Sequence, residues 1–210
     1  MNNIILIGGG GHCISCIDVI EAENKYKIVG ILDSKEKVGQ KVSGYKIIGS
    51  DEMISELLSQ TNYFLITIGQ MTPYSKRDGI FSYLKEIGAK IATVVSPLAY
   101  VSHNAKIGVG TIVMHGAIIN AGVSVGDNCI INSMALIEHE AFVENNCHIS
   151  TGVVINGRGG WRQILLLVVI VPSFIMLRLK KEVLLRPTAY VKAIPKLSIF
   201  NFIHCVILQI

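Results

Sequence analysis

The chain has 210 residues, half of them hydrophobic, and its 19 basic and 15 acidic side chains give a formal net charge of +4. That excess does not mark a nucleic-acid binder, because residues 1–157 carry 11 Lys and Arg against 14 Asp and Glu, whereas 158–210 carry 8 against one. An odd set of cysteines (Cys13, Cys16, Cys129, Cys147, Cys205) and an N-terminus without a basic leader predict a cytoplasmic chain with reduced thiols, neither secreted nor disulfide-stapled.

In chain order, the apolar run Ile4–Ile7 reads as a strand that ends in Gly8-Gly9-Gly10-Gly11-His12, and a helix follows from Cys13 to Glu23. Strand, glycines and helix N-terminus in that order form a cradle for phosphate or another anion, since the backbone can approach closely and the first amides point outward. Cys13 stands where a third glycine would complete a dinucleotide fingerprint, which argues against a standard NAD site. Lys27–Asp33 predicts a second strand ending in an acid. Asp51–Ser59 predicts a short helix, Tyr63–Gly69 a buried strand, Tyr74–Ile87 a helix closed by Gly88, and Ile91–Val95 another strand before Ser96-Pro97. The alternation predicts a Rossmann-like α/β domain with a parallel sheet over residues 1–96.

The period then changes. Every sixth residue from Val101 to Ile155 is a β-branched aliphatic: Val101, Ile107, Val113, Ile119, Val125, Ile131, Ile137, Val143, Ile149 and Ile155. The residue four places later is small or short each time, from Ala105 and Thr111 to Cys147 and Val153. Neither an α-helix nor an ordinary sheet has a six-residue period. A parallel β-helix does, because each flat side of its coil buries one branched and one small side chain. Residues 97–157 are therefore expected to form such a helix. Cys129 and Cys147 fall on the inward small position and read as core. Cys13-Ile14-Ser15-Cys16 reads as packing rather than as a redox or metal motif, and no metal site is expected.

The hexads resemble those of the acyltransferases that fold as left-handed β-helices and work as trimers. Gly8-Gly9-Gly10-Gly11-His12, Gly30-Ile31-Leu32-Asp33 and Lys46-Ile47-Ile48-Gly49 narrow the resemblance to the NeuD/PglD sugar acetyltransferases. That resemblance implies acetyl-CoA as co-substrate and a sialic-acid-type or nucleotide-linked amino sugar of surface-glycan biosynthesis as acceptor. It implies a homotrimer, and the charge distribution predicts no nucleic-acid partner. It further implies that Gly10, Gly11, His12 and Asp33 bind the sugar substrate. Ile137-Glu138-His139-Glu140 and Cys147-His148-Ile149-Ser150 match the family's catalytic segment. By that match His139 is the general base, Glu140 the acid that orients it, and His148 the histidine that meets the acetyl group of acetyl-CoA. Elementary chemistry agrees for His139: it is third in its hexad, not an inward position, and a neutral imidazole can take the proton of an amine attacking a thioester. His139 and His148 lie half an 18-residue coil apart, so one active site using both requires two chains.

Beyond Gly157 the pattern changes. Trp161 and Ser173 stand where the hexad asks for aliphatics, and glycine falls from 18 in residues 1–157 to two in 158–210. Residues 158–210 are expected to be a non-repeat basic and hydrophobic tail, explained by an altered reading frame or, alternatively, by a membrane-associating segment. A truncated coenzyme A groove would leave a catalytically impaired sugar-nucleotide-binding or scaffold protein, the alternative to an active acetyltransferase.

Overall fold

The computed structural model describes residues 1–58, 62–70 and 76–157, together with the backbone of 160–161 and 166–167. The tail expectation otherwise lies outside the described residues.

The first half is a Rossmann-like layer. Strand β1 (Asn2–Ile7) lies at the centre of a sheet ordered β3-β4-β2-β1-β5-β6, with β2 Tyr26–Leu32, β3 Lys41–Val42, β4 Tyr45–Gly49, β5 Tyr63–Ile66 and β6 Lys90–Ile91. β1 pairs in parallel with both β2 and β5, so its four consecutive apolar residues are buried on both faces. Helix α1 (Gly11–Glu23) follows β1 directly and turns Cys13, Cys16, Ile17, Val19 and Ile20 inward. It ends at Asn24 in the left-handed conformation, φ 55°. Helices α2 (Ile54–Leu57) and α3 (Lys76–Glu86) pack with β1 and β5 in a second cluster around Phe64.

Two expectations differ from the structure here. The β3–β4 hairpin is antiparallel and joins an otherwise parallel sheet. The single strand expected at Ile91–Val95 is two. β6 closes the first sheet, whereas β7 (Val94–Val95) pairs with the β-helix. Ala92 still hydrogen-bonds to Phe64, but Val94 bonds to Thr111, so the chain changes sheets across Thr93.

From β7 onward the chain winds through β8 Tyr100–Val101, β9 Lys106–Ile107, β10 Ile112–Val113, β11 Ile118–Ile119, β12 Ser124–Val125, β13 Ile130–Ile131, β14 Leu136–Ile137, β15 Phe142–Val143, β16 His148–Ile149 and β17 Val154–Ile155. Each strand pairs in parallel with the one three further on, which makes a triangular prism. The first side is β7-β10-β13-β16, the second β8-β11-β14-β17, and the third β9-β12-β15. The backbone at 160–161 (β18) and 166–167 (β19) continues the third and first sides in the same register.

The hexad dictates this interior. The core of the prism is Val113, Ala117, Ile119, Val123, Val125, Cys129, Ile131, Ala135, Ile137 and their successors to Ile155, branched and small residues alternating as the sequence does. The corners follow the same clock. Gly110, Gly116, Gly122, Asn128, Met134, Glu140, Asn146 and Gly152, spaced by six, all have positive φ. Gly and Asn accept that conformation readily; Met134 and Glu140 hold it at a steric cost.

The outward residue just before each branched one decides what the prism meets. On the first side it is Val94, Ile112, Ile130 and then His148, a column that α1 covers. Three members are apolar and fully buried. The fourth is a histidine because the column runs past the end of the apolar contact and into a cavity.

Candidate active site

That cavity, about 550 Å³, opens between the glycine loop and the first side of the prism. Its lining includes Gly8, Gly10, Gly11, His12, Asp33, the loop 67–70 and His148. Such a volume suits a ligand of several tens of atoms.

The glycines have separate reasons. Gly8 has φ 107°, and a Cβ there would strike Ile68 at 2.4 Å. A Cβ on Gly9 would come within 3.0 Å of an Asp33 carboxylate oxygen. Gly10 and Gly11 meet nothing within 4 Å, and Gly10 is extended at φ −84°, so the space they leave belongs to the cavity. The N-terminus of α1, with its orphan amides and positive dipole end, faces that space.

Asp33 is a strut of the loop. Its Oδ2 accepts from Gly9 N at 2.7 Å and its Oδ1 from Ser34 N at 2.7 Å, while Lys37 Nζ donates to both at 3.2 Å. Burial pushes its pKa up, but the Ser34 and Gly9 amides and Lys37 outweigh that, leaving it below the usual carboxylate range. Lys76 pairs with Asp51 at the rim.

His12 and His148 meet this cavity from opposite domains. The Nε2 atom of His12 is buried without a hydrogen-bond partner. Burial, then the charges of Arg77 and His148, push its pKa down to about 4. His148 is 9% exposed, and its Nδ1 lies 3.1 Å from the carbonyl of Gln70. A carbonyl only accepts, so Nδ1 carries the proton, and Nε2 is left to accept from Asn132 Nδ2 at 3.3 Å. Burial lowers the His148 pKa against the raising effect of that Gln70 bond. At neutral pH the cavity thus presents two uncharged imidazoles. Gln70 is 1% exposed and its Oε1 also lacks a partner.

The structure brings together Gly10, Gly11, His12, Asp33 and His148. It leaves His139 and Glu140 elsewhere. These two form the exposed corner between the second and third sides, opposite the first side that carries His148. Gly157 stacks one coil above His139, and a Cβ there would lie 2.7 Å from the imidazole Cε1. Within one chain His139 does not reach the cavity.

Gln70, Thr67, Lys37 and Arg77 escaped the sequence reading. For Arg77 a signal existed: it shares a helical face with Ile80, Phe81 and Leu84, so a charge interrupts an apolar stripe. A second histidine cluster, Ser96 Oγ to His115 Nδ1 at 2.6 Å and His115 Nε2 to Asp18 at 2.9 Å, has the composition of a nucleophilic triad. Ser96 is 1% exposed, however, and its Oγ accepts from Leu98 N, so the cluster ties α1 to the prism and reaches no substrate. Cys13 and Cys16 are buried with thiol pKa values pushed up chiefly by that burial, as packing residues are.

Fold and cavity together define a hexapeptide-repeat protein whose Rossmann-like domain carries a pocket against one side of the prism. Residues 3–83 match the PglD N-terminal domain. The chain is 31% identical over 116 residues to UDP-N-acetylbacillosamine N-acetyltransferase of Bacillus subtilis, an alignment covering 54% of this chain and 52% of that protein. It thus spans about half the length of that curated relative. The acetyltransferase domain of PglB from Neisseria gonorrhoeae superposes with a TM-score of 0.67 at 28% identity, covering 73% of each chain. Perosamine N-acetyltransferase from Caulobacter crescentus, solved in complex with CoA and GDP-perosamine, superposes at 0.58 with 21% identity, over 78% of this chain and 90% of that one; the likeness shows the shared fold. The chain is thus similar to PglD-type acetyltransferases over residues 3–83, and its prism is a left-handed β-helix like that of the PglB acetyltransferase domain. Among the described residues no helix is long and apolar enough to cross a membrane.

Proposed function

We propose that the chain is an acetyl-CoA-dependent acetyltransferase that transfers an acetyl group to the amine of a nucleotide-linked amino sugar. The observation that carries this reading is a single cavity joining a glycine-loop helix N-terminus to two uncharged histidines. The helix end and open glycines suit a diphosphate. The unpartnered His12 Nε2 and Gln70 Oε1 suit a hydrogen-bond donor such as a sugar amine or hydroxyl. The names of the relatives, which act on UDP-linked and GDP-linked sugars, point the same way.

In this reading residues 1–96 hold the sugar nucleotide, and residues 97–157 supply the β-helix that works with acetyl-CoA in the cytoplasm. The amine attacks the thioester carbonyl and forms the C–N bond as His139 takes its proton, with Glu140 steadying the imidazole; the C–S bond then breaks and the same proton passes from His139 to the sulfur, so that coenzyme A leaves as the thiol. His148 meets the acetyl group from the cavity side. His139 comes from a neighbouring chain, so the working form is a homotrimer. Support for a neighbour lies on the second side of the prism, where Tyr100 (58% exposed), Ile118 (40%) and Val154 (45%) form an outward apolar column next to the His139 corner.

The test is a panel of UDP- and GDP-linked amino sugars with acetyl-CoA, read by free-thiol release. Release dependent on one amino sugar is expected. Sugar-nucleotide binding without thiol release contradicts the enzyme and leaves the binding module of the alternative reading.

A further inference from the structure

Arg77 is the largest fully buried side chain among the described residues, and it carries a charge. A buried guanidinium is tolerated only where its donors are met. Here Nη1 donates to Ile66 O at 2.6 Å and Ile68 O at 3.0 Å, Nη2 to Gly110 O at 3.3 Å, and Nε to Asn128 O at 3.4 Å. Two acceptors belong to the strand and loop that wall the cavity; two are corner carbonyls of successive coils of the prism. The same loop continues through Gly69 to Gln70. The Gln70 carbonyl fixes the ring of His148, and its side-chain Nε2 donates to Asn146 O at 2.6 Å.

We propose that Arg77 is the positioning residue of the cavity: by clamping the loop 66–70 to the prism it sets the place and tautomer of His148 opposite His12. This rests on the cavity being the acceptor site. A guanidinium is the suitable group because only its planar fork reaches four carbonyls at once, and because a fixed positive charge also opposes protonation of both imidazoles. Burial lowers its own pKa to about 10, so it stays charged at neutral pH. The other charged and titratable groups around His12 are Asp33, Lys37, Asp51 and Lys76 on the cavity wall, His148 across it, and Cys13 behind.

The experiment uses the full chain with histidines labelled for NMR, as wild type, Arg77→Met and Arg77→Lys. Three readings are taken: imidazole pH titrations, calorimetric binding of UDP-N-acetylbacillosamine and GDP-perosamine, and thermal melting. In Arg77→Met the His12 and His148 titrations move upward and affinity for the bound sugar nucleotide falls, on the order of tenfold. In Arg77→Lys the titrations return toward wild type while affinity recovers only in part. A lowered melting temperature with unmoved titrations and affinity means a purely structural role and overturns the proposal. If Arg77→Met does not fold, Arg77→Lys and the wild-type nitrogen shifts decide: a proton on Nδ1 of His148 supports the clamp, and one on Nε2 overturns it. Failure of the wild-type chain to bind either sugar nucleotide sinks the acceptor-site reading, and the titrations then judge Arg77 alone.

Discussion

At the scale of single residues, His12 couples the cavity to stability. Its folded pKa is about 4 against an ordinary 6.5. As pH falls through 6.5 the unfolded chain takes up the proton first, so stability is full above that value and declines until about 4. The loss is about 3 kcal/mol. Lowered pKa values at His148 and Asp33 act in the same direction on acidification. Urea unfolding at pH 7 and pH 4.5 is expected to show the decline, and His12→Asn to flatten it; an unchanged slope in that variant refutes the assignment. The glycine loop gives a second residue-scale prediction. Gly10→Val fills open cavity space from an extended backbone, so it folds normally and raises the KM for sugar nucleotide at least tenfold with little change for acetyl-CoA. Gly8→Val, at φ 107° against Ile68, lowers the melting temperature instead. Folded Gly10→Val with wild-type KM removes the sugar nucleotide from the loop.

At the scale of the element, the prism reads almost directly from the chain because one hexad rule sets both burial and corners. Neighbouring residues of one strand test it. Ile119 is fully buried inside the prism and Ile118 is 40% exposed outside it. Ile119→Ala is expected to cost about 2–5 kcal/mol and Ile118→Ala under about 1 kcal/mol in denaturant unfolding. Equal losses mean the register is wrong. The Rossmann-like elements were also legible, through the strand-glycine-helix order of Ile4–Glu23. The β3–β4 hairpin was less so, since Ser43-Gly44 is a turn in a short polar stretch with little periodicity. The break at Thr93 was hidden because Ile91–Val95 is a continuous run of strand formers, and only the change of hydrogen-bond partner separates its halves. The cavity was half legible. The glycine loop, His12 and Asp33 share a local pattern, and Arg77 shows only as a charge in the apolar stripe of α3, but which backbone carbonyls it and Gln70 join leaves no mark in a sequence. That His148 faces the glycine loop follows from α1 packing on the first side, a tertiary choice.

At the scale of the whole molecule, a single chain holds His139 away from the cavity that His148 lines, so the proposed mechanism, which uses both, requires association. Mixing His139→Ala and His148→Ala chains under exchanging conditions tests this most directly. Each variant alone is expected to be inactive. In a trimer of randomly mixed chains, about a quarter of the interfaces join an intact His148 cavity to an intact His139 corner. Recovery of about a quarter of wild-type thiol release from an equimolar mixture is therefore predicted. A mixture that stays inactive while mixed trimers are demonstrably present contradicts a site shared between chains.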